Sequence, residues 1–549
     1  MDQLGSRAPK KRSRALAVPV GLALTASLAF LPVVSASAAP LGTTADAAPA
    51  SKADTSGPKL SYVANLNAYA TMKAAKKAVE RAGGTVVTAY EQIGVVVAHS
   101  QNPDFAKQLR AQRGLFVSVG ATRTAPMTAA RTTDEGATQQ LSAADAAKAA
   151  AAAQEGQEPL EPNQWDLRTI KADKAHKIND GSRNVTVGII DTGVDDTHPD
   201  LAPNFSKGQS ANCVGGVADT TEGAWRPYAD GSDHGTHVAG TIGAARNGIG
   251  VSGVAPGVKI AAIKVSEPGT SLFYTEAVVC GFMFAAEKGI EVTNNSYYVD
   301  PYLFNCKTDD DQKALVEAIG RATKYAERKG TLHIASAGNS DQDLAADSLV
   351  DDTSPNDTTP VPRTIDPKVC LDLPTQLPGV VTVSATGDKG LRSYYSSYGL
   401  GVVDVAAPGG DKWQVPDTPD ANGRVLSTVP GGGYGYKQGT SMAAPHVAGV
   451  AALLKSAHPS ATPSQLQAML KAQSTKAACP TQIYNAAGTL VDATTCASKW
   501  GQTGSSAHGV FPALMRVMLD RSPRHEATGR GGGGGAPARP GPFVPRVRA

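Results

Sequence analysis

"GTSMAAPHVAGVAALL", residues 439 to 454, opens on a glycine, sets one serine at Ser441 and then runs small and apolar to Leu454. A serine at the start of a helix-patterned stretch has a bland reading as an N-cap, its commoner role there. Pro445 falls within or near the first turn, where proline is tolerated, and Gly439 lets another backbone pass close by. The stretch therefore reads as a helix start that holds a hydroxyl beside open backbone.

Two other stretches share this character. "NVTVGIIDTGVDDTHPDL" carries a buried strand over Val185 to Ile190 that ends at Asp191, and "DGSDHGTHVAGTI" sets His234 at the head of a small-residue helix. In parallel α/β sheets, functional groups collect where strands end and helices begin. Taken singly, Asp191 is a capping carboxylate, and His237 and His446 are packed helix histidines. Together they mean more. Serine is a weak nucleophile at its own pKa, so it needs a base, and an imidazole base needs a carboxylate to hold its tautomer and stabilise the imidazolium. Asp191, His234 and Ser441 supply these parts in one of the three unrelated chain orders of serine hydrolases. A lipase reading fails, because Gly439 to Ala443 lacks the second glycine of the GxSxG elbow.

Around these blocks, residues 163 to roughly 475 alternate β-branched runs such as "VVTVSAT" with helical patterns, which implies an α/β fold with a parallel sheet covered by helices. Residues 58 to 126 form a smaller α/β unit. Its strands fall at 59 to 65, 85 to 98 and 115 to 121, and its helices at 69 to 82 and 103 to 112, a ferredoxin-like order. Between the two, residues 127 to 162 lose all β signal and turn Ala, Thr, Gln and Glu rich, which reads as a linker open to cutting.

The ends differ from the body. Residues 1 to 38 have a basic front, an apolar run broken by Pro19 and Pro32, and Ala36-Ser37-Ala38 ahead of Ala39, the order of a secretory signal. No second long apolar segment follows, so the exported protein is expected to be soluble, with no membrane partner. Residues 511 to 549 have the composition of a disordered basic tail. Five basic residues against one acid in residues 1 to 38, and seven arginines against two acids in 516 to 549, leave an acidic body within a chain of formal charge +3. An acidic body argues against nucleic acid as a partner. None of the six cysteines has CxxC spacing, so all six read as disulfides of an oxidising compartment, with Cys479 to Cys496 the easiest local pair.

The blocks "IIDTGVDDTHPDL", "HGTHVAGTIGAARNGIGVSGVAP", "IASAGN", "YSSYG", "VVDVAAPG" and "GTSMAAPHVAGVAALL" resemble those of the subtilisin-like serine proteases, the subtilases. The resemblance implies a subtilisin-like parallel sheet flanked by helices over 163 to 510, preceded by a propeptide over 58 to 126 that assists folding and plugs the cleft. It also implies a secreted, monomeric endopeptidase made as an autoprocessed zymogen, cut between about Ala125 and Asn163, acting on proteins or peptides without a catalytic cofactor. Carried over by position, Asp191 orients the imidazole, His234 is the base, being the first histidine of its motif, and Ser441 is the nucleophile. Asn339 donates its side-chain amide to the tetrahedral oxyanion, helped by amides of the helix start. Ser296, Tyr297, Tyr298, Ala337 and Gly338 line the substrate strand, and Tyr297 and Tyr298 depart from the small residues usual there. That departure bears on specificity and on a second reading, a catalytically compromised subtilase-fold binding protein.

Two inserts, 298 to 311 and 340 to 378, contain Cys306 and Cys370, which are expected to tie the inserts together beside the cleft. Asp200, Asn247 and the carbonyls near Ala245, Ile249 and Val251 form either a structural calcium cage or a hydrogen-bonded loop. Zinc is disfavoured, since His234 to His237 lacks the HExxH spacing and glutamate. At the far end "AHGV", 507 to 510, begins like the family's closing segment and then departs. The expectation is a change of reading frame, which sequencing across codons 500 to 549 checks.

Overall fold

The computed structural model describes residues 56–127, 137–229, 231–478, 480–493 and 510–514. At its centre seven parallel strands lie in the spatial order Val405–Pro408, Val380–Thr386, Leu332–Ser336, Val292–Asn295, Thr186–Asp191, Lys259–Lys264 and Ala211–Asn212. Successive side chains of a strand point to opposite faces, and both faces here are apolar. Val187, Ile189, Ile260 and Ala262 pack into one core with the helices His234–Gly243 and Thr440–Ala457. Ile190, Ala261 and Ile263 pack into the other with Thr275–Glu287 and Asp310–Arg328. The α/β architecture expected from the alternating pattern is therefore the one observed.

The N-terminal unit is a four-stranded antiparallel sheet in the order Gly84–Tyr90, Val95–Ser100, Leu60–Leu66, Phe116–Ala121. Two helices, Met72–Arg81 and Phe105–Arg110, cover one face, where Tyr62, Ala64, Val96 and Ala98 meet them. The alternate residues Val63, Val95 and Val97 join the core of the large domain instead, against its helices Thr275–Glu287 and Asp310–Arg328. A sheet with two apolar faces needs two partners, so the second face of this unit is an interface.

Polar contacts fix the interface. Arg321 donates to the carbonyls of Leu66, Ile93 and Gly94 at 3.0 to 3.1 Å, Asn65 Nδ2 to Ala314 O at 2.9 Å, and Tyr90 Oη to Gly216 O at 2.6 Å. Gly120 passes so close to the start of the second helix that a Cβ there would stand 2.4 Å from Asp311 O. Past the last strand, Arg123 is 4% exposed and its Nη2 lies 2.5 Å from Glu276 and 3.0 Å from Glu267. Burial pushes the Glu276 carboxyl up most, but the Arg123 charge and the hydrogen bonds to that carboxyl together outweigh it and hold it below its usual range, while burial keeps the half-buried Glu267 above its own. Removing the guanidinium strands the buried Glu276 carboxylate and the half-buried Glu267, so Arg123→Ala is expected to destabilise the uncleaved chain by about 3 kcal/mol. The thermal midpoint of the Ser441→Ala background measures it.

Two stretches differ from their sequence reading. Within 127 to 162, Gln139–Gln140 pairs with the strand Gly433–Lys437, and Ala143–Ala152 is a helix whose N-cap Ser142 accepts from Asp145 N at 3.1 Å. Ala149 from this helix is fully buried in the main core, so an alanine run that buries little alone gains order from tertiary packing. The backbone of Val510–Leu514 adds a strand beside Val405–Pro408, across the expected boundary at 510. The signal region 1 to 38, the residues after 514 and the Cys479–Cys496 pair lie outside the described residues. Among the described residues no helix is long and apolar enough to cross a membrane.

Candidate active site

Asp191 ends a central strand, and its Oδ1 accepts both Thr192 N–H at 2.7 Å and His234 Nδ1–H at 2.8 Å. The second contact fixes the tautomer, leaving Nε2 as the basic nitrogen. Asp191 is wholly buried and its Oδ2 accepts no hydrogen bond among the described residues. The helix that starts at His234 is drawn onto the strand end by Gly235 N donating to Thr192 Oγ1 at 2.9 Å. Only glycine permits that approach, because a Cβ at Gly235 would stand 2.3 Å from Gly193 O.

His237, one turn on, is fully buried with Nε2 against the carbonyls of Gly435 and Val425 at 3.1 and 3.2 Å. Burial first, and then the nearby Lys437 charge, lower its pKa to about 3. It is a neutral packing residue, as read from the sequence, and of these two histidines the one that meets a carboxylate is His234.

Ser441 is the second residue of its helix, half-buried, and donates from Oγ to Ser296 O at 3.2 Å. Pro445 lies inside this helix, past the first turn in which it was expected. It has no N–H for the carbonyl four residues back, which is that of Ser441. Ser296 Oγ takes the place of that donor, reaching Ser441 O at 3.0 Å. The proline thus frees the backbone at the serine, and the strand that begins the substrate segment holds it.

Asn339 is exposed, one residue past Gly338, and its Oδ1 accepts from Thr440 N at 2.9 Å and Thr440 Oγ1 at 2.8 Å. Two donors on one atom identify that atom as the oxygen, so the amide nitrogen faces away from Thr440. A Cβ on Gly439 would lie 3.6 Å from that nitrogen.

His234, Ser296, Asn339 and Ser441 line one cavity of about 220 Å³, together with Tyr297, Tyr298 and Gly338. Ala337 does not join them. It is buried behind the strand end, donating its N–H to Val383 O at 2.9 Å. Tyr297 is stacked on Phe273 with ring centres 4.7 Å apart, and the Tyr298 hydroxyl is held by Asn356 Nδ2 at 2.8 Å. Both rings are thus wall, anchored to neighbours.

The inserts meet as expected. Cys306 and Cys370 are disulfide-bonded, and Asn305–Cys306 pairs with Cys370–Leu371. Cys213 and Cys280 form a second bond. The residues named for calcium are joined in a hydrogen-bonded loop: Asp200 Oδ2 accepts from Val251 N at 2.9 Å, Ala245 N donates to Asp200 O at 2.8 Å, and Asn247 Oδ1 accepts from Ile249 N at 3.2 Å. Three groups escaped the sequence reading. Thr440 orients Asn339, Asp166 pairs with the buried His446 at 2.9 Å, and Asp372 lines the cavity. Asp372 and Asp166 carry no motif signal, whereas Thr440 sits beside the serine in plain view.

A buried carboxylate on an imidazole, with a helix-borne serine and an aimed amide in one cleft of a parallel α/β sheet, is equipment for acyl transfer by a serine hydrolase. Residues 182–489 match the subtilase family model, and the chain belongs to that family. Subtilisin NAT of Bacillus subtilis subsp. natto is 32% identical over 347 residues, 63% of this chain and 75% of that one. A subtilisin of Bacillus pumilus is 33% identical over 311 residues, 57% of this chain and 91% of that one. Among solved structures, the epidermin leader peptide processing serine protease of Staphylococcus aureus shares the fold, with a TM-score of 0.56 at 23% identity over 76% of this chain and 93% of that one. The chain is a subtilisin-like serine endopeptidase.

Proposed function

We propose that this chain is an exported endopeptidase made as a zymogen, in which Ser441 attacks the scissile carbonyl, His234 carries the proton and Asp191 holds the imidazole. The observation that supports it best is the 2.8 Å contact of His234 Nδ1 with Asp191, beside a cavity that Ser441 and Asn339 share. The Oγ–C bond forms as the peptide C–N bond breaks. The Oγ proton passes to His234 Nε2 and then to the leaving amine, and water repeats the route to release the acid. The Asn339 amide nitrogen stabilises the oxyanion that develops in each half.

Residues 58 to 126 act as a propeptide. Their shared core with the large domain, and Arg123 on Glu267 and Glu276, support this role, and the signal-like residues 1 to 38 support export. Maturation falls between 127 and 139, ahead of the paired Gln139–Gln140 and the helix Ala143–Ala152, which are poor substrates. The mature enzyme works as a monomer on extended peptides.

Calcium is a structural ion at the Asp200 loop. Asp200 Oδ1 is buried without a hydrogen-bond partner among the described residues, burial raises its pKa, and an oxygen-rich loop around it suits a hard cation. Asp200, Asn247 and the carbonyls of Ala245, Ile249 and Val251 would hold it, and it supplies rigidity only. Chelation is expected to lower the thermal midpoint by several degrees, and Asp200→Asn to abolish that dependence.

Intact mass of the secreted protein before and after a fluorophosphonate tests the whole reading. One adduct on Ser441, on a species lacking the first 127 or more residues, is the expected result. A processed, folded chain with no adduct would move the protein to the binding class.

A further inference from the structure

The cavity beside Ser441 combines apolar walls with acid. Phe273, Leu303 and Met442 line it together with Asp300 and Asp372, and no lysine or arginine is among its lining residues. The two carboxylates differ. Asp300 is held by donors, its Oδ1 accepting Asn356 Nδ2 at 2.6 Å and its Oδ2 the Phe273 N–H. Asp372 is 3% exposed, and its Oδ1 accepts no hydrogen bond among the described residues.

Of the groups beside Asp372, Thr375 offsets only part of the burial of its carboxyl. The Thr375 hydroxyl donates to Ser336 O at 2.8 Å, and the Asp372 N–H goes to Gln376 Oε1 at 2.8 Å. Its Oδ2 would lie 3.7 Å from a Cβ on Gly338, a residue of the cavity lining. The Cys306–Cys370 bond and the strand pair Cys306 with Cys370 hold the backbone two residues before this buried carboxyl.

A buried, underbonded carboxyl is costly unless something brings it a partner, and burial alone pushes its pKa well above the usual range. The partner has to come through the cavity. Lysine and arginine suit it in shape as well as charge, with a methylene stem for the apolar walls and a cation at the end.

We propose that Asp372 is the specificity-determining residue of this cleft and that the enzyme cleaves after lysine or arginine, whose side chain enters the cavity and sets its cation against Asp372. The inference rests on the endopeptidase reading of the same cleft, and the experiment separates the two. Fluorogenic peptides differing only in the residue before the scissile bond (Lys, Arg, Phe, Leu or Glu) are presented to the secreted, processed protein, with fluorophosphonate labelling of Ser441 in parallel.

The expected result is a kcat/KM for Lys or Arg at least about 100-fold above that for Phe, since a site that leaves a buried polar group unpaired discriminates by up to about 10⁴- to 10⁵-fold. In Asp372→Asn that ratio is expected to collapse toward one, and in Asp372→Glu a preference for basic residues is expected to survive. An enzyme that labels but prefers Phe or Leu overturns the inference and leaves the protease reading standing. So does a basic preference that Asp372→Asn leaves unchanged. If Asp372→Asn fails to label, the wild-type profile and Asp372→Glu decide. Absence of both labelling and cleavage in the wild type overturns the protease reading and this inference with it.

Discussion

Replacing Ser441 by alanine is expected to lower kcat/KM on every peptide by on the order of 10⁶-fold, the size of effect known for a subtilisin's own triad serine. The loss is large because the other groups act through the serine oxygen. Without Oγ there is no acyl-enzyme, and the imidazole held by Asp191 at 2.8 Å has no proton to take. The helix itself should survive. Ser441 Oγ only donates to Ser296 O at 3.2 Å, while the bond that replaces the missing Pro445 donor runs to the backbone carbonyl and stays in place. A Ser441→Ala protein that folds, binds peptide and turns nothing over is therefore the expected product. If maturation is autocatalytic, its mass will retain the N-terminal unit. Processing that persists in this variant would mean that another protease makes the cut, and turnover that persists would refute Ser441 as nucleophile.

The triad was legible because its chemistry demands particular residue types at particular ends of strands and helices. Asp191 closes a run of β-branched residues, and His234 and Ser441 head runs of small residues that only a closely packed helix needs. The N-terminal unit was legible for a related reason, since the continuous apolar run Val95 to Ala98 marks a strand with two apolar faces. The composition did not say what the second face meets, because that answer lies in helices more than 150 residues away along the chain. The helix Ala143–Ala152 failed in the opposite sense: its sequence is weakly committed, and the burial of Ala149 decides its fate. Asp372 was invisible for a simpler reason. Nothing local distinguishes an aspartate on a surface loop from one turned into a cavity, and the disulfide and strand pairing that turn it inward join segments 64 residues apart.

Asn339→Leu should cut kcat by about 10²- to 10³-fold with little change in KM, the figure known for a subtilisin's oxyanion donor and equivalent to about 3 to 4 kcal/mol. The split between the two constants follows from when the bond matters. A donor aimed at the tetrahedral oxygen gains strength as negative charge develops, so it lowers the barrier without tightening the ground state. The aim comes from Thr440, whose N–H and Oγ1 both hold Asn339 Oδ1 and so turn the amide nitrogen toward the cleft. Asn339→Asp keeps that anchor but faces the developing oxyanion with oxygen in place of an N–H donor, and should cost at least as much. Thr440→Val removes the hydroxyl and keeps the backbone donor, so it should cost less than either. A merely structural asparagine would give another pattern, with KM or the thermal midpoint moving and kcat following, and Asp tolerated as well as Asn. Steady-state kinetics on the three variants, read beside their melting curves, decide between a group that acts in the transition state and one that only closes a loop.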